Sequence, residues 1–114
     1  MERRKNLRIP FKADVKLTIK DEIINTNSLN LSQNGICVLL PDMRSIGTQI
    51  KVKFNLTKNQ SINDTYYVFF YEKLSRHYRI GLKIDSSSQS SIDNVQNYIN
   101  ETFQILETES KMVS

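Results

Sequence analysis

The sequence predicts a mainly β fold: a six-stranded antiparallel β-barrel followed by one C-terminal amphipathic α-helix. Three observations predict it. Short segments of alternating apolar and polar residues, punctuated by turn residues, occupy the chain from Phe11 to Ile84. After "DSSSQSS" (85–91) the period changes to three and four. With 114 residues, three glycines, two prolines and no internal repeat, there is no linker at which to divide the chain, so one domain with a modest core is expected. Closing the sheet is also the economical way for so few residues to hide strand edges.

The elements follow in order. In "FKADVKLTIK", Val15, Leu17 and Ile19 alternate with polar residues, the period of a half-buried strand, and Pro10 marks where it can begin because it pushes Ile9 into an extended conformation. "IINTNSLNL" reads as a second strand and "ICVLLP", stopped by Pro41 and Asp42, as a third. Beyond the turn "DMRSIG", the segment "TQIKVKFNL" alternates at Ile50, Val52, Phe54 and Leu56. "TYYVFFYEKL" and "HYRIGLKI" form a hairpin pair, the latter with Ile80, Leu82 and Ile84 on one face. The first of that pair holds five aromatics between Tyr66 and Tyr71, of which alternation can bury only one face. Ile92, Val95, Ile99, Phe103 and Leu106 make the apolar stripe of a helix, with Ser90 and Asp93 at the spacing of a capping-box-like start. The expected layout is a flexible basic arm over 1–10, a barrel over 11–85, a helix over 86–106 and a frayed tail over 107–114.

Composition narrows the function. The start "MERRKNLRIPF" is basic but lacks an apolar core segment, and no run reaches the roughly 18 apolar residues of a membrane span, so a cytoplasmic protein is expected. Cys37 has no partner for a disulfide or a zinc site and reads as a small buried hydrophobe. His77, the one histidine, has no nucleophile at a recognisable spacing and reads as a surface residue. Without a phosphate loop, metal cluster or carboxylate pair, an enzyme is not expected, and neither is a cofactor. The net charge of +4 is placed unevenly: Arg3, Arg4, Lys5 and Arg8 cluster ahead of the first strand and favour an anionic partner.

Binding chemistry is better supplied. Arg4 and Arg8 can each offer a planar fork to phosphate oxygens or to a guanine edge, and a flat face to stack on a base. In "NLSQNG", 30–35, Asn30 and Ser32 alternate onto one face of an extended segment, where an amide and a hydroxyl can reach the same ligand edge. Gly35 permits either a positive φ or a close approach that a Cβ would block, and Asn34 tolerates left-handed geometry. As a turn, the same segment needs no ligand.

Together the two fragments resemble a known pattern. Arg-x-x-x-Arg, "RKNLR" from Arg4 to Arg8, followed after 21 residues by "NLSQNG", resembles the PilZ family of bacterial cyclic di-GMP receptors. Both motifs in this order should arise by chance in on the order of one chain in a thousand. "SIGTQIKVKFNL" and "YRIGLKI" are similar to further strands of that family, so the likeness runs from about Glu2 to Leu106. The resemblance implies a six-stranded barrel whose arginine-bearing arm folds over the ligand. Arg4 and Arg8 would meet guanine and phosphate, and Asn30, Ser32 and Gly35 the opposite guanine edge. Asn30 stands where many relatives have Asp, giving up a charge-assisted hydrogen bond. Arg3 occupies the position at which arginine-bearing relatives tend to take a stacked pair of ligands, so one or two cyclic di-GMP molecules per chain are implied.

Three functions are thus in view. The first is a cyclic di-GMP receptor whose arm changes conformation and signals to an effector protein in motility or biofilm regulation. The second is an adaptor of the same fold that docks proteins, through the aromatic strand, without the nucleotide. The third, ranked last, is a basic barrel for single-stranded nucleic acid.

Overall fold

The computed structural model describes residues 8–85 and 88–113, with side chains described through residue 105. Arg3 and Arg4, and most of the expected arm, lie outside the described residues. The order of elements is β1 (Arg8–Pro10), β2 (Asp14–Ile19), β3 (Glu22–Ser32), β4 (Gly35–Leu40), β5 (Gln49–Thr57), β6 (Gln60–Lys73), β7 (Tyr78–Ile84) and α1 (Gln89–Val113).

The sheet runs β3-β2-β5-β6-β7-β4, all antiparallel, and β4 pairs again with β3. Six strands therefore close a barrel, as the alternation predicts, and β1 is added on β3. Alternation accounts for the interior: Val15, Leu17, Ile50, Val52, Phe54, Ile80 and Leu82 all point inward and are buried. Closure depends on β3, whose first half pairs with β2 and whose second half pairs with β4, with a register shift between Ser28 and Asn30 where the strand bends.

The first strand is corrected in two ways. It starts at Asp14 rather than Phe11, and Pro10 ends β1 instead of opening β2. β1 and β2 follow the same edge of β3, but between the pairs Pro10↔Asn30 and Asp14↔Asn27 one edge advances a residue further than the other. Ser28 fills this irregularity: its hydroxyl accepts from the Ala13 amide at 2.9 Å and donates to the Phe11 carbonyl at 2.6 Å. The freed Phe11 ring turns into the core, edge-on to Phe54 and to Tyr98, each at 5.8 Å between centroids.

β6 also starts earlier than expected, at Gln60. Its aromatic run divides between two environments. Tyr66 and Val68 are buried, a register shift falls between Val68 and Phe70, and Phe69 and Tyr71 are exposed.

The helix begins at Gln89, before Ser90, with the Ser88 carbonyl accepting from the Ile92 amide at 3.1 Å. Ser90 is therefore inside the first turn rather than at a cap. Ile92, Val95 and Ile99 join the barrel core, α1 packs against β1 and β3, and the Ser91 hydroxyl donates to Asp64 on β6. The helix continues to Val113, past the 106 boundary set by the apolar stripe.

Candidate functional site

Register places most of the motif residues together. Arg8 is opposite Ser32, Ser32 opposite Gly35, and Gly35 opposite Lys83, which makes one row across β1, β3, β4 and β7. The next row reads Pro10, Asn30, Cys37 and Gly81. Residues directly opposite in an antiparallel sheet share a face, and the intervening Ile9, Leu31, Ile36 and Leu82 are buried in the core, so both rows lie on the outer wall of the barrel.

These rows floor a surface cleft of about 170 Å³, with Arg8, Asn30 and Ser32 to one side and Phe69 and Phe70 to the other. Asn34 and Lys83 also line it. The sequence therefore locates Arg8, Asn30, Ser32, Asn34 and Gly35 at one place, while Arg3 and Arg4 fall outside the described residues.

"NLSQNG" is mostly strand. Asn30 and Ser32 end β3, Gln33 and Asn34 make the turn, and Gly35 opens β4. The Ser32 hydroxyl lies 3.5 Å from the Gly35 carbonyl, a loose contact that leaves it able to bond elsewhere. The Asn34 carbonyl accepts from the Ile84 amide at 2.7 Å, tying the turn to β7. Of the two reasons a glycine could be needed here, close approach is the one observed. Positive φ is found among the described residues at Lys20 and Gly47, whereas a Cβ on Gly35 would lie 2.4 Å from the Leu82 carbonyl oxygen.

Cys37 is buried in the cleft floor. Burial pushes its thiol pKa up, opposed in part by the positive charges of Arg79 and Arg8. It is a neutral, small, apolar surface at neutral pH, as expected from the sequence. His77 lies in the β6–β7 connection, exposed, with its backbone carbonyl accepting from the Leu74 amide at 2.8 Å. Among the described residues no group of His, Cys, Asp and Glu could hold a metal ion, and no helix is long and apolar enough to cross a membrane.

Sequence reasoning missed the far wall. Phe69 and Phe70 edge onto each other at 5.0 Å and 75°, and Arg79 stands over the Phe70 ring at 5.5 Å while pairing with Glu72 at 2.5 Å. A Cβ on Gly81 would lie 2.1 Å from the Phe70 ring, so glycine is what lets the ring lie down on β7. The signal available was the pair of consecutive aromatics after Val68, which breaks strict alternation. Chemically the cleft combines a guanidinium, an amide, a hydroxyl, an ammonium and an aromatic wall, a set suited to holding a planar anionic molecule.

A closed six-stranded barrel with a C-terminal helix and a polar cleft on its outer wall defines the class, a small antiparallel β-barrel domain. The particular family is the PilZ domain, which matches residues 2–101, and the chain belongs to it. Solved structures share the fold. The Bacillus subtilis inhibitor of motility MotI/DgrA superposes with a TM-score of 0.71 at 22% identity over 91% of this chain and 53% of its own. YcgR in complex with c-di-GMP from Escherichia coli gives 0.79 at 14% identity over 100% and 52%. The PilZ domain of YcgR with c-di-GMP, also from Escherichia coli, gives 0.72 at 12% identity over 96% and 98%. This chain spans about half the length of the first two. No curated protein sequence matches it.

Proposed function

We propose that this protein is a cyclic di-GMP receptor that passes the signal to a partner protein. The observation that carries the reading is the row Arg8, Ser32, Gly35 with Asn30 beside it, a single face of the barrel on which Arg8 of the arginine motif meets the "NLSQNG" segment. Arg8 would engage guanine or phosphate, Asn30 and Ser32 a guanine edge, and Arg4 and Arg3 would add to the cationic side from the segment preceding β1. Solved relatives in complex with c-di-GMP support the ligand class.

Signalling would run through β1. This short strand carries Arg8 on its outer face and Ile9 in the core, and it packs against α1. A ligand that bridges the basic segment and the barrel would favour one arrangement of β1, and α1 would be the surface that changes for a partner. Isothermal titration with cyclic di-GMP at physiological salt, beside Arg8→Ala and with GTP as competitor, tests the reading. Micromolar or tighter binding that Arg8→Ala removes supports a receptor, and two ligands per chain support a role for Arg3. No heat and no binding from folded protein refutes it.

A second reading, a protein-docking adaptor, is favoured by the exposed Tyr71 and Leu74 near the β6–β7 hairpin. Substituting those two residues without loss of nucleotide binding, but with loss of the effector, separates docking from ligand recognition.

A further inference from the structure

The described aromatic residues lining the cleft are Phe69 and Phe70, and neither belongs to the arginine or "NLSQNG" motifs. Their presence together on the outer wall is a consequence of backbone irregularity. Val68 is opposite Leu82 and Phe70 opposite Gly81, so two steps along β6 match one step along β7, and Phe69 is the inserted residue. Bulges of this kind re-aim a side chain that strict alternation would place elsewhere.

The two rings have different commitments. Phe70 is half-buried, lies over Gly81 and has the Arg79 guanidinium above it, with Arg79 held in turn by Glu72. Phe69 leans on that fixed ring and is still 40% exposed, facing a cleft whose opposite side carries Arg8. The polar side of the cleft can bond to the edge of a base or to phosphate, but a purine also has two apolar faces, and its burial requires a flat apolar surface.

We infer that Phe69 is a stacking wall for a guanine base in this cleft, pre-positioned by the β6 bulge and by Phe70 resting on Gly81. The inference rests on the cyclic di-GMP reading and adds to it a specificity-determining residue on β6. Arg8 and Phe69 then take the base from opposite sides, and Lys83, in the same row as Arg8, adds a positive charge for a phosphate.

The test is titration of the full chain with cyclic di-GMP in wild type, Phe69→Ala, Phe69→Leu and Phe69→Tyr, together with the proton NMR shift of the ligand's guanine H8. Stacking predicts affinity weakened about tenfold or more in Phe69→Ala and Phe69→Leu, and held within about threefold in Phe69→Tyr. It also predicts an upfield ring-current shift of H8 that Phe69→Leu abolishes and Phe69→Tyr keeps. The leucine variant preserves apolar bulk, so its loss of both readouts cannot be ascribed to packing. Wild-type binding with unchanged affinity and unchanged H8 shift in Phe69→Leu overturns the stacking role and leaves the receptor reading intact. Failure of the wild type to bind overturns both.

Discussion

Arg8 stands directly opposite Ser32 in the β1–β3 ladder, and its neighbour Ile9 is buried on the other side of the same strand. The guanidinium is thus held at the rim of the cleft by a residue that belongs to the core. Arg8→Lys keeps the charge and the strand pairing but loses the planar fork, so it should weaken cyclic di-GMP binding by about tenfold while leaving the melting temperature within about 2 °C of wild type. Titration and thermal denaturation of the same preparations check both halves. Equal affinity for the two side chains would mean that only charge matters at this position.

Gly35 and Gly81 are both needed for close approach, but what approaches them differs. At Gly35 the obstacle to a Cβ is the backbone carbonyl of Leu82, which cannot move without opening the β4–β7 ladder. At Gly81 the obstacle is the ring of Phe70, a side chain that can turn away. Gly35→Ala should therefore cost about 1–3 kcal/mol, seen as a lowered denaturant midpoint. Gly81→Ala should cost less than Gly35→Ala in the same measurement, and should weaken ligand binding by displacing the Phe70 and Phe69 rings.

Much of this was legible from the order of residues. Alternation in "TQIKVKFNL" and "HYRIGLKI" reports which side chains enter the barrel, because one closed layer has one inside, and the stripe from Ile92 to Ile99 reports the face that α1 buries. Motif spacing likewise brings Arg8 to Asn30 and Ser32. What stays hidden is whatever depends on register between distant strands. Nothing local to Phe11, Lys12 and Ala13 says that they leave the ladder, since the cause is the hydroxyl of Ser28 on another strand. Nothing local to Phe69 says which strand partner is skipped, and Gly35 looks like a turn glycine until the Leu82 carbonyl is seen against it. The C-terminal end of α1 at Val113 is likewise not marked by the apolar stripe, whose last residue is Leu106.

Ser28 is the buried polar side chain at the junction of β1 and β2, 1% exposed. Removing its hydroxyl leaves the Ala13 amide and the Phe11 carbonyl without that partner, in a place water reaches poorly. Ser28→Ala should destabilise the domain by about 1–3 kcal/mol. Ser28→Thr, which keeps the hydroxyl but adds a methyl in a packed site, should lie between. Because this junction sets where β1 ends, Ser28→Ala should also raise the hydrogen-exchange rate of amides in Arg8 and Ile9 more than that of β5 amides. Uniform acceleration across the barrel would instead indicate global loosening with no special role for the junction.

Two buried groups make stability depend on alkaline pH. Burial, reinforced by the negative charge of Asp64, pushes the Tyr66 phenol pKa above its ordinary 10.0, and burial pushes the Cys37 thiol above 9.0. Well below pH 9 both groups are protonated in the folded and unfolded chains, and their contribution is fully present. As pH rises past these ordinary values the unfolded chain releases protons that the folded chain still holds, so ionisation draws the equilibrium toward unfolding by up to about 1.4 kcal/mol per pH unit for each group. Urea midpoints should thus fall from pH 8.5 to pH 11, first through Cys37 and then, above about pH 10, through Tyr66 as well. Tyr66→Phe removes the second contribution and should flatten the fall above pH 10, while Cys37→Ala should flatten the portion just above pH 9. Parallel curves for wild type and Tyr66→Phe would show that the phenol ionises as readily in the folded chain as in the unfolded one, contrary to its burial at 2% exposure beside Asp64.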